Sequence, residues 1–144
     1  VQIDKYLSRI SGPLLDRIDL HIEVTPVSLE ELSSDRTEES SATIRERVVR
    51  ARAIQTARFE GIEGVHTNAM MNSRMLREYC PLEASARTLL ERAMERLNLS
   101  ARAYDRIIKV ARTIADLAGE EQIAPAHIAE AITYRSLDRE SWGR

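Results

Sequence analysis

Apolar residues recur at steps of three and four along most of the chain after residue 42, which is the spacing of amphipathic helices. The clearest run follows Pro81, because proline favours the first position of a helix. Its apolar positions are Leu82, Ala86, Leu89, Leu90, Ala93, Met94 and Leu97. This run predicts a helix that begins at Pro81 and buries one continuous face.

Serine residues indicate where two further helices begin, because a serine hydroxyl can accept a hydrogen bond from a free N–H of the first turn. Ser40 or Ser41 can cap a helix that runs to about Phe59. Ser100 can cap another, which Gly119 is placed to end. The predicted buried positions are Ile44, Val48 and Ala51 in the first helix and Ile107, Ile108, Ala111, Ile114, Ala115 and Leu117 in the second.

Two shorter helices complete the predicted bundle. One covers Ser73–Tyr79 and follows a loop over residues 60–68. Pro125 opens the last helix. The apolar positions of that helix are Ile128, Ala129 and Ile132. The pattern therefore predicts a mainly α fold in which four or five helices share one core.

The first 27 residues follow a different pattern. Residues 5–16 predict a short helix and a turn around Gly12 and Pro13. Residues 19–24 then alternate between polar and apolar side chains, as in a half-buried strand that Pro26 ends. A strand must pair with others, and no second convincing strand follows. We therefore expect its sheet to lie in preceding sequence.

Residues 28–41 are rich in serine and acidic side chains, which predicts a solvated connector. We expect three parts: residues 1–27 end a domain whose sheet lies in preceding sequence, residues 28–41 form a linker, and residues 42–144 form a helical domain. The first residue is Val1 rather than methionine, so we expect the chain to come from a longer protein.

The composition agrees with this organisation. Hydrophobic residues account for 43% of the chain and charged residues for 31%, which is typical of a soluble helical protein. No run approaches the roughly 18 apolar residues that a membrane span needs, so we expect no membrane partner and a cytoplasmic location. The single cysteine, Cys80, excludes an internal disulfide.

The formal net charge of -2 excludes a chain that binds nucleic acid through its overall charge. Residues 42–58 nevertheless contain five arginines and a single acidic residue, Glu46. Arg45, Arg50 and Arg52 are therefore candidate contacts to DNA phosphates. The alternative is a helix whose arginines are solvated or ion-paired.

The sequence predicts no catalytic centre within this chain. None of the five glycines stands in the Gly-Lys-Ser/Thr context of a phosphate-binding loop, and no apolar strand ends in an acid that could hold Mg²⁺. His21, His66 and His127 lie far apart and lack metal-ligand spacing, so we predict no metal site. We expect the chain alone to bind no cofactor and to hydrolyse no ATP.

Arg102 is unusual for its position. It is the second residue of the helix that Ser100 caps, where the helix dipole disfavours a cation. This placement indicates either a nearby acidic partner or an anionic ligand. A helix N-terminus offers N–H donors to phosphate, and arginine adds a positive charge that can form bidentate hydrogen bonds to phosphate oxygens.

Two long motifs resemble those of the Mg-chelatase-related AAA+ ATPases, in particular the bacterial ComM/YifB branch. The first covers residues 11–24, SGPLLDRIDLHIEV. The second covers residues 99–104, LSARAY, and residues 110–117, VARTIADL. Shorter matches that extend the resemblance over nearly the whole chain lie at residues 68–69, 79–80 and 134–139.

This resemblance implies roles for two arginines. In the family the first motif follows the sensor-1 strand of the ATPase core, and its arginine, here Arg17, resembles the finger that reaches ATP on the neighbouring subunit. The second motif resembles the sensor-2 helix of the lid, whose arginine, here Arg102, contacts the γ-phosphate. The alternative for Arg17 is a salt bridge to Asp16 or Asp19. Weaker candidates, which we expect to be solvated or paired, are Arg106, Lys109 and Arg112.

The resemblance also implies a parent protein that forms a ring of its own copies, uses ATP and Mg²⁺, and acts on DNA as a branch-migration helicase in natural transformation. Residues 1–27 would then close the α/β core of the AAA+ ATPase and residues 42–144 would form its helical lid. A chelatase-type motor that remodels a metal-insertion partner is the alternative within the family. A free-standing helical module that binds nucleic acid or protein is the alternative outside it.

Overall fold

A computed structural model describes residues 11–15, 17–22, 24, 26–27 and 39–135. The α-helices in these ranges are α1 (Gly12–Leu15), α2 (Ser41–Arg58), α3 (Ser73–Tyr79), α4 (Ala84–Arg96), α5 (Ala101–Ala118) and α6 (Pro125–Thr133). A 3₁₀ helix spans Asn68–Met70 between α2 and α3. The predicted mainly α fold is confirmed, as are the bounds of α3 and the start of α6. Each helix in the described ranges is too short or too polar to cross a membrane.

Helix α5 lies at the centre of the bundle and packs against α2, α3, α6 and the 3₁₀ helix. Its inner face is fully buried at Ala103, Ile107 and Ala111. The predicted cap is confirmed, since Ser100 Oγ accepts a hydrogen bond from the Ala103 N–H at 3.2 Å. The predicted end is confirmed as well, because Gly119 has a φ of 75°, a left-handed conformation that glycine adopts without strain.

Helix α4 begins at Ala84, so the prediction that Pro81 opens it is wrong. Leu82 instead pairs with Ile123 in an isolated parallel bridge, which keeps the backbone after Pro81 extended. The predicted apolar face is confirmed at its centre, because Leu90 is fully buried and α4 packs against α6.

Helix α2 has its N-cap at Ser40, as predicted, where Oγ accepts a hydrogen bond of 3.2 Å from the first turn of the helix. Its predicted buried side is right only at Ala51. Ile44 and Val48 are 41% and 43% exposed, so that part of the prediction is wrong. Every side chain between residues 41 and 50 is exposed or partly exposed, because α2 enters the core only over its C-terminal half.

Two single positions of the predicted core also differ from the structure. Leu117 is 37% exposed, and the buried face of α5 continues through Arg112 and Asp116 instead. Ala129 is exposed, whereas Ala131 is buried in the core. Both predictions are wrong because the two residues lie on the side of their helices that faces away from the core.

The N-terminal segment forms one short helix, α1, inside the range predicted for it; residues 1–10 and 16 lie outside the described residues. Residues 19–22 and 24 form no strand, so the predicted strand over residues 19–24 is wrong where the structure describes it. A strand needs a neighbouring strand, and the described ranges contain only the isolated bridge beside α4. Residues 28–38 of the predicted linker lie outside the described residues, and α2 begins at residue 41.

Candidate functional site

Arg17 lies in the turn that follows α1, where its backbone N–H donates a hydrogen bond to the Leu14 carbonyl at 3.0 Å. It is exposed and forms no ion pair with any described residue. The alternative of a salt bridge to Asp19 is not realised, because Asp19 pairs with Arg106. Asp16 lies outside the described residues. Arg17 is therefore accessible to a ligand or a neighbouring subunit.

Arg102 is the second residue of α5 and is exposed. Among the described acidic side chains, none forms an ion pair with it. The first turn of α5 is the positive end of the helix dipole. Arg102 and the neighbouring N–H groups thus form a cationic helix end that suits an anionic ligand such as phosphate.

The structure connects the segment that carries Arg17 with the helix that carries Arg102. Arg106, one turn after Arg102, donates a hydrogen bond through Nη1 to the carboxylate of Asp19. The pair agrees with the expectation that Arg106 is solvated or paired. Sequence reasoning missed the partner, because it placed Asp19 in a strand and named no acid for Arg106. In the sequence, only the opposite charges of Asp19 and Arg106 point to this pair, and many other residue pairs in this chain have opposite charges.

A buried polar cluster lies at the other end of α5. Asp116 accepts hydrogen bonds from Arg58 at 2.5 and 2.8 Å and from Asn68 Nδ2 at 2.7 Å. Arg112 Nε donates to the same carboxylate at 3.1 Å. The Asp116 side chain is 0% exposed, so these donors take the place of water around its charge. The cluster joins α2, the 3₁₀ helix and α5.

The charges of this cluster stabilise one another. Burial raises the pKa of Asp116, but the hydrogen bonds from Arg58 and Asn68 and the charges of Arg58 and Arg112 outweigh it. The pKa of Asp116 therefore lies below its ordinary value. The hydrogen bond to Asp116 likewise raises the pKa of Arg58. Both groups are charged at neutral pH.

The side chains of the other two cationic candidates on α5, Arg112 and Lys109, form hydrogen bonds within the bundle. Arg112 is 2% exposed and donates from its two Nη atoms to the carbonyls of Glu120 and Glu121, both at 2.6 Å. Lys109 Nζ donates to the Ala69 carbonyl at 3.0 Å. These contacts agree with the expectation that both residues are solvated or paired, and they leave Arg102 as the candidate for a ligand.

Arg45, Arg50 and Arg52, the predicted DNA contacts, are all exposed on α2. Arg45 and Arg52 are seven residues apart and share one side of the helix, whereas Arg50 lies on another side. Arg47 differs from them, because it forms a bidentate ion pair with Glu39. The structure therefore brings two of the three candidates onto one surface.

Within the described ranges, histidine, cysteine and acidic side chains form no group of three that could hold a metal ion. His127 stabilises the start of α6, where its Nδ1 accepts a hydrogen bond from the Ala124 N–H at 3.0 Å. Burial raises the pKa of the Cys80 thiol to about 11, which disfavours the reactive thiolate. We therefore assign a structural role to both His127 and Cys80.

Two family models match most of the chain. Residues 38–135 match the family described as magnesium chelatase, subunit ChlI C-terminal. Residues 1–32 match the family described as magnesium chelatase, subunit ChlI. The first match covers the whole described helical bundle, including α5 with Arg102, and the second covers the segment that carries Arg17.

Curated relatives agree with these matches. The chain is 47% identical over 140 residues to competence protein ComM of Haemophilus influenzae, which covers 96% of this chain and 26% of that protein. It is 41% identical over 136 residues to YifB of Escherichia coli and 40% identical over 136 residues to YifB of Salmonella typhimurium. Each of these covers 94% of this chain, which in turn spans 26% of the length of each relative. The chain therefore belongs to the magnesium chelatase subunit ChlI C-terminal family and is of the ComM/YifB type.

Proposed function

We propose that this chain supplies two arginines to ATP hydrolysis in a ring-forming AAA+ ATPase. Arg17 is the finger that reaches the nucleotide of a neighbouring subunit, and Arg102 is the sensor-2 residue that contacts the γ-phosphate. One observation supports this most strongly: both side chains are exposed and form no ion pair with a described residue, whereas Arg106 and Arg112 are paired.

The chemistry of phosphoryl transfer explains why two such arginines are useful. Negative charge on the transferred group spreads over its oxygens as the bond to the leaving group breaks. A guanidinium beside those oxygens lowers the barrier, because it keeps its charge and can donate two parallel hydrogen bonds. At Arg102, the N-terminus of α5 adds N–H donors and the positive end of a dipole.

In this proposal the remainder of a longer protein holds ATP and Mg²⁺. The chain spans only 26% of the length of its relatives, and its glycines stand outside any phosphate-binding context. This chain then contributes its arginines to a nucleotide that the rest of the longer protein holds. The helical bundle of residues 42–135 corresponds to the lid and the segment before residue 28 to the end of the ATPase core.

We further propose that the motor acts on DNA, as a branch-migration helicase in natural transformation. One relative is named a competence protein. Arg45 and Arg52 add positive charge on one exposed side of α2, where DNA phosphates can bind. The second candidate is a chelatase-type motor that remodels a metal-insertion partner, which the description of the matching family favours. Stimulation of ATP turnover by DNA would separate the two.

The arginine assignments are tested in a full-length protein that carries this segment. Arg17→Ala and Arg102→Ala are each expected to lower ATP turnover by about 10³-fold, the effect of removing an arginine that stabilises the transition state. Steady-state turnover at saturating Mg-ATP measures this. Melting followed by circular dichroism is the control, because losing an exposed arginine changes stability by less than about 0.5 kcal/mol.

Mixed rings test whether Arg17 acts across a subunit boundary. An Arg17→Ala subunit is combined with one whose phosphate-binding lysine is disabled. Activity should return at interfaces that pair an intact finger with an intact nucleotide site. Turnover near the wild-type rate for both single variants would refute both assignments. Complementation of Arg17→Ala together with unchanged turnover of Arg102→Ala would keep the finger and make Arg102 a structural residue.

A further inference from the structure

The stretch directly after Arg17 is attached to the helical bundle by three contacts within four residues. Arg106 on α5 donates to the carboxylate of Asp19. Arg135, at the end of α6, donates through Nη1 to the Ile18 carbonyl. The backbone N–H of His21 donates to the Tyr134 carbonyl, just after α6, at 2.7 Å. The two backbone contacts fix the course of the chain, and the ion pair fixes it relative to α5.

The ion pair lies close to both proposed catalytic arginines along the chain. Arg17 is two residues before Asp19, a span of at most about 7 Å between their Cα atoms. Arg102 is four residues before Arg106, a rise of about 6 Å along the helix axis. The pair joins the stretch after the Arg17 turn directly to α5.

The pair contributes little to folding stability. Its side chains are 28% and 42% exposed, for Arg106 and Asp19 respectively, and ion pairs in contact with solvent are weak. Arg135 differs, because it is 1% exposed and belongs to the core. The ion pair can therefore be removed without disturbing the bundle or the two backbone contacts.

We propose that Asp19 and Arg106 are positioning residues: their ion pair holds the Arg17 turn at a fixed place relative to the N-terminus of α5 and so aligns Arg17 with the phosphate that it must reach. This rests on the proposed function of Arg17 and Arg102. An arginine in an exposed turn samples many positions, and a displacement of about 1 Å can cost on the order of a hundredfold in rate. A weak contact can therefore have a large effect on turnover.

The experiment uses a full-length protein that carries this segment. Arg106→Gln and Asp19→Asn should each lower kcat for ATP hydrolysis by roughly ten- to a hundredfold and change KM little, because neither residue holds the substrate. Arg106→Lys keeps the ion pair and should retain most of the activity. The matched control is Arg47→Gln, which breaks the exposed pair between Arg47 on α2 and Glu39 just before it and should leave kcat unchanged.

A double-mutant cycle separates positioning from a general effect on the fold. Once Arg17 is replaced by alanine, Arg106→Gln should lower kcat no further, because no finger remains to be positioned. Independent, multiplicative losses would overturn the proposal, as would wild-type kcat for Arg106→Gln. In that second case slow turnover of Arg17→Ala would leave the proposed function intact. Wild-type turnover of Arg17→Ala and Arg102→Ala would instead remove the proposed function itself.

Discussion

The arginines toward the two ends of α5 have opposite surroundings. At the N-terminal end Arg102 is exposed and forms no ion pair with a described residue. Near the C-terminal end Arg112 is 2% exposed and binds Asp116 and two backbone carbonyls. Residue type and helix are the same, so the difference arises from the surroundings. A paired, buried arginine builds the fold, and an exposed one without a partner is available to a ligand.

The largest expected effect on stability concerns the buried end. Asp116→Asn removes the negative charge that Arg58 and Arg112 share, and leaves two guanidinium groups without an acidic partner. Removing one member of a buried ion pair typically costs about 3–5 kcal/mol. Urea unfolding followed by circular dichroism measures the loss in the free energy of unfolding.

The same substitution elsewhere on α5 provides the control. Asp105 accepts a hydrogen bond from the Ser73 hydroxyl at 2.7 Å on the exposed side of the bundle. Asp105→Asn should therefore cost about 1 kcal/mol or less. Equal losses for the two variants would mean that the Asp116 cluster contributes no more than a surface contact.

The pH dependence of stability should report the same cluster. Because the pKa of Asp116 is lowered in the folded state, that state binds protons less readily than the unfolded chain does. Its contribution is fully present above the ordinary aspartate pKa of about 3.9 and is lost as pH falls through the lowered folded value. Urea unfolding of wild type and Asp116→Asn between pH 7 and pH 3 should show their difference shrink below about pH 4. A constant difference would exclude Asp116 as its source.

A smaller effect is expected at the cap of α5. Ser100→Ala removes the hydrogen bond to the Ala103 N–H and should cost about 1 kcal/mol. Ser100→Gly should cost only a few tenths of a kcal/mol, because glycine is tolerated at an N-cap. Thermal unfolding of the two variants gives the comparison. Identical losses would show that the hydroxyl is not the stabilising group.

Features that depend on neighbouring residues could be predicted from the sequence. The caps at Ser40 and Ser100 and the stop at Gly119 each act within one turn of a helix, and all three are confirmed. The start of α4 could not be predicted in this way. It depends on the pairing of Leu82 with Ile123, and the whole of α5 separates these two residues in the sequence.

The contacts around the candidate site depend on distant partners. Asp116 meets Asn68 and Arg58 across 48 and 58 residues, and Asp19 meets Arg106 across 87. The sequence offered one local hint, since Arg112 and Asp116 are four residues apart on α5. Arg17 became a candidate through motif resemblance, because an exposed arginine leaves no trace in the hydrophobic pattern. Arg102 was indicated also by its place in the first turn of the helix that Ser100 caps.

The smallest expected change in stability is at Arg102, and it separates a ligand contact from a structural role. Arg102→Ala removes an exposed cation from the positive end of the α5 dipole, so the free energy of unfolding should stay within about 0.5 kcal/mol of wild type and can rise slightly. Arg112→Ala, on the same helix, should destabilise the chain by several times more, because it leaves two carbonyls and part of Asp116 without donors. Thermal unfolding of the two variants measures both effects. A loss above about 1 kcal/mol for Arg102→Ala would mean that the fold uses this side chain. Unchanged stability together with slow ATP turnover in the full-length protein would assign its role to the nucleotide.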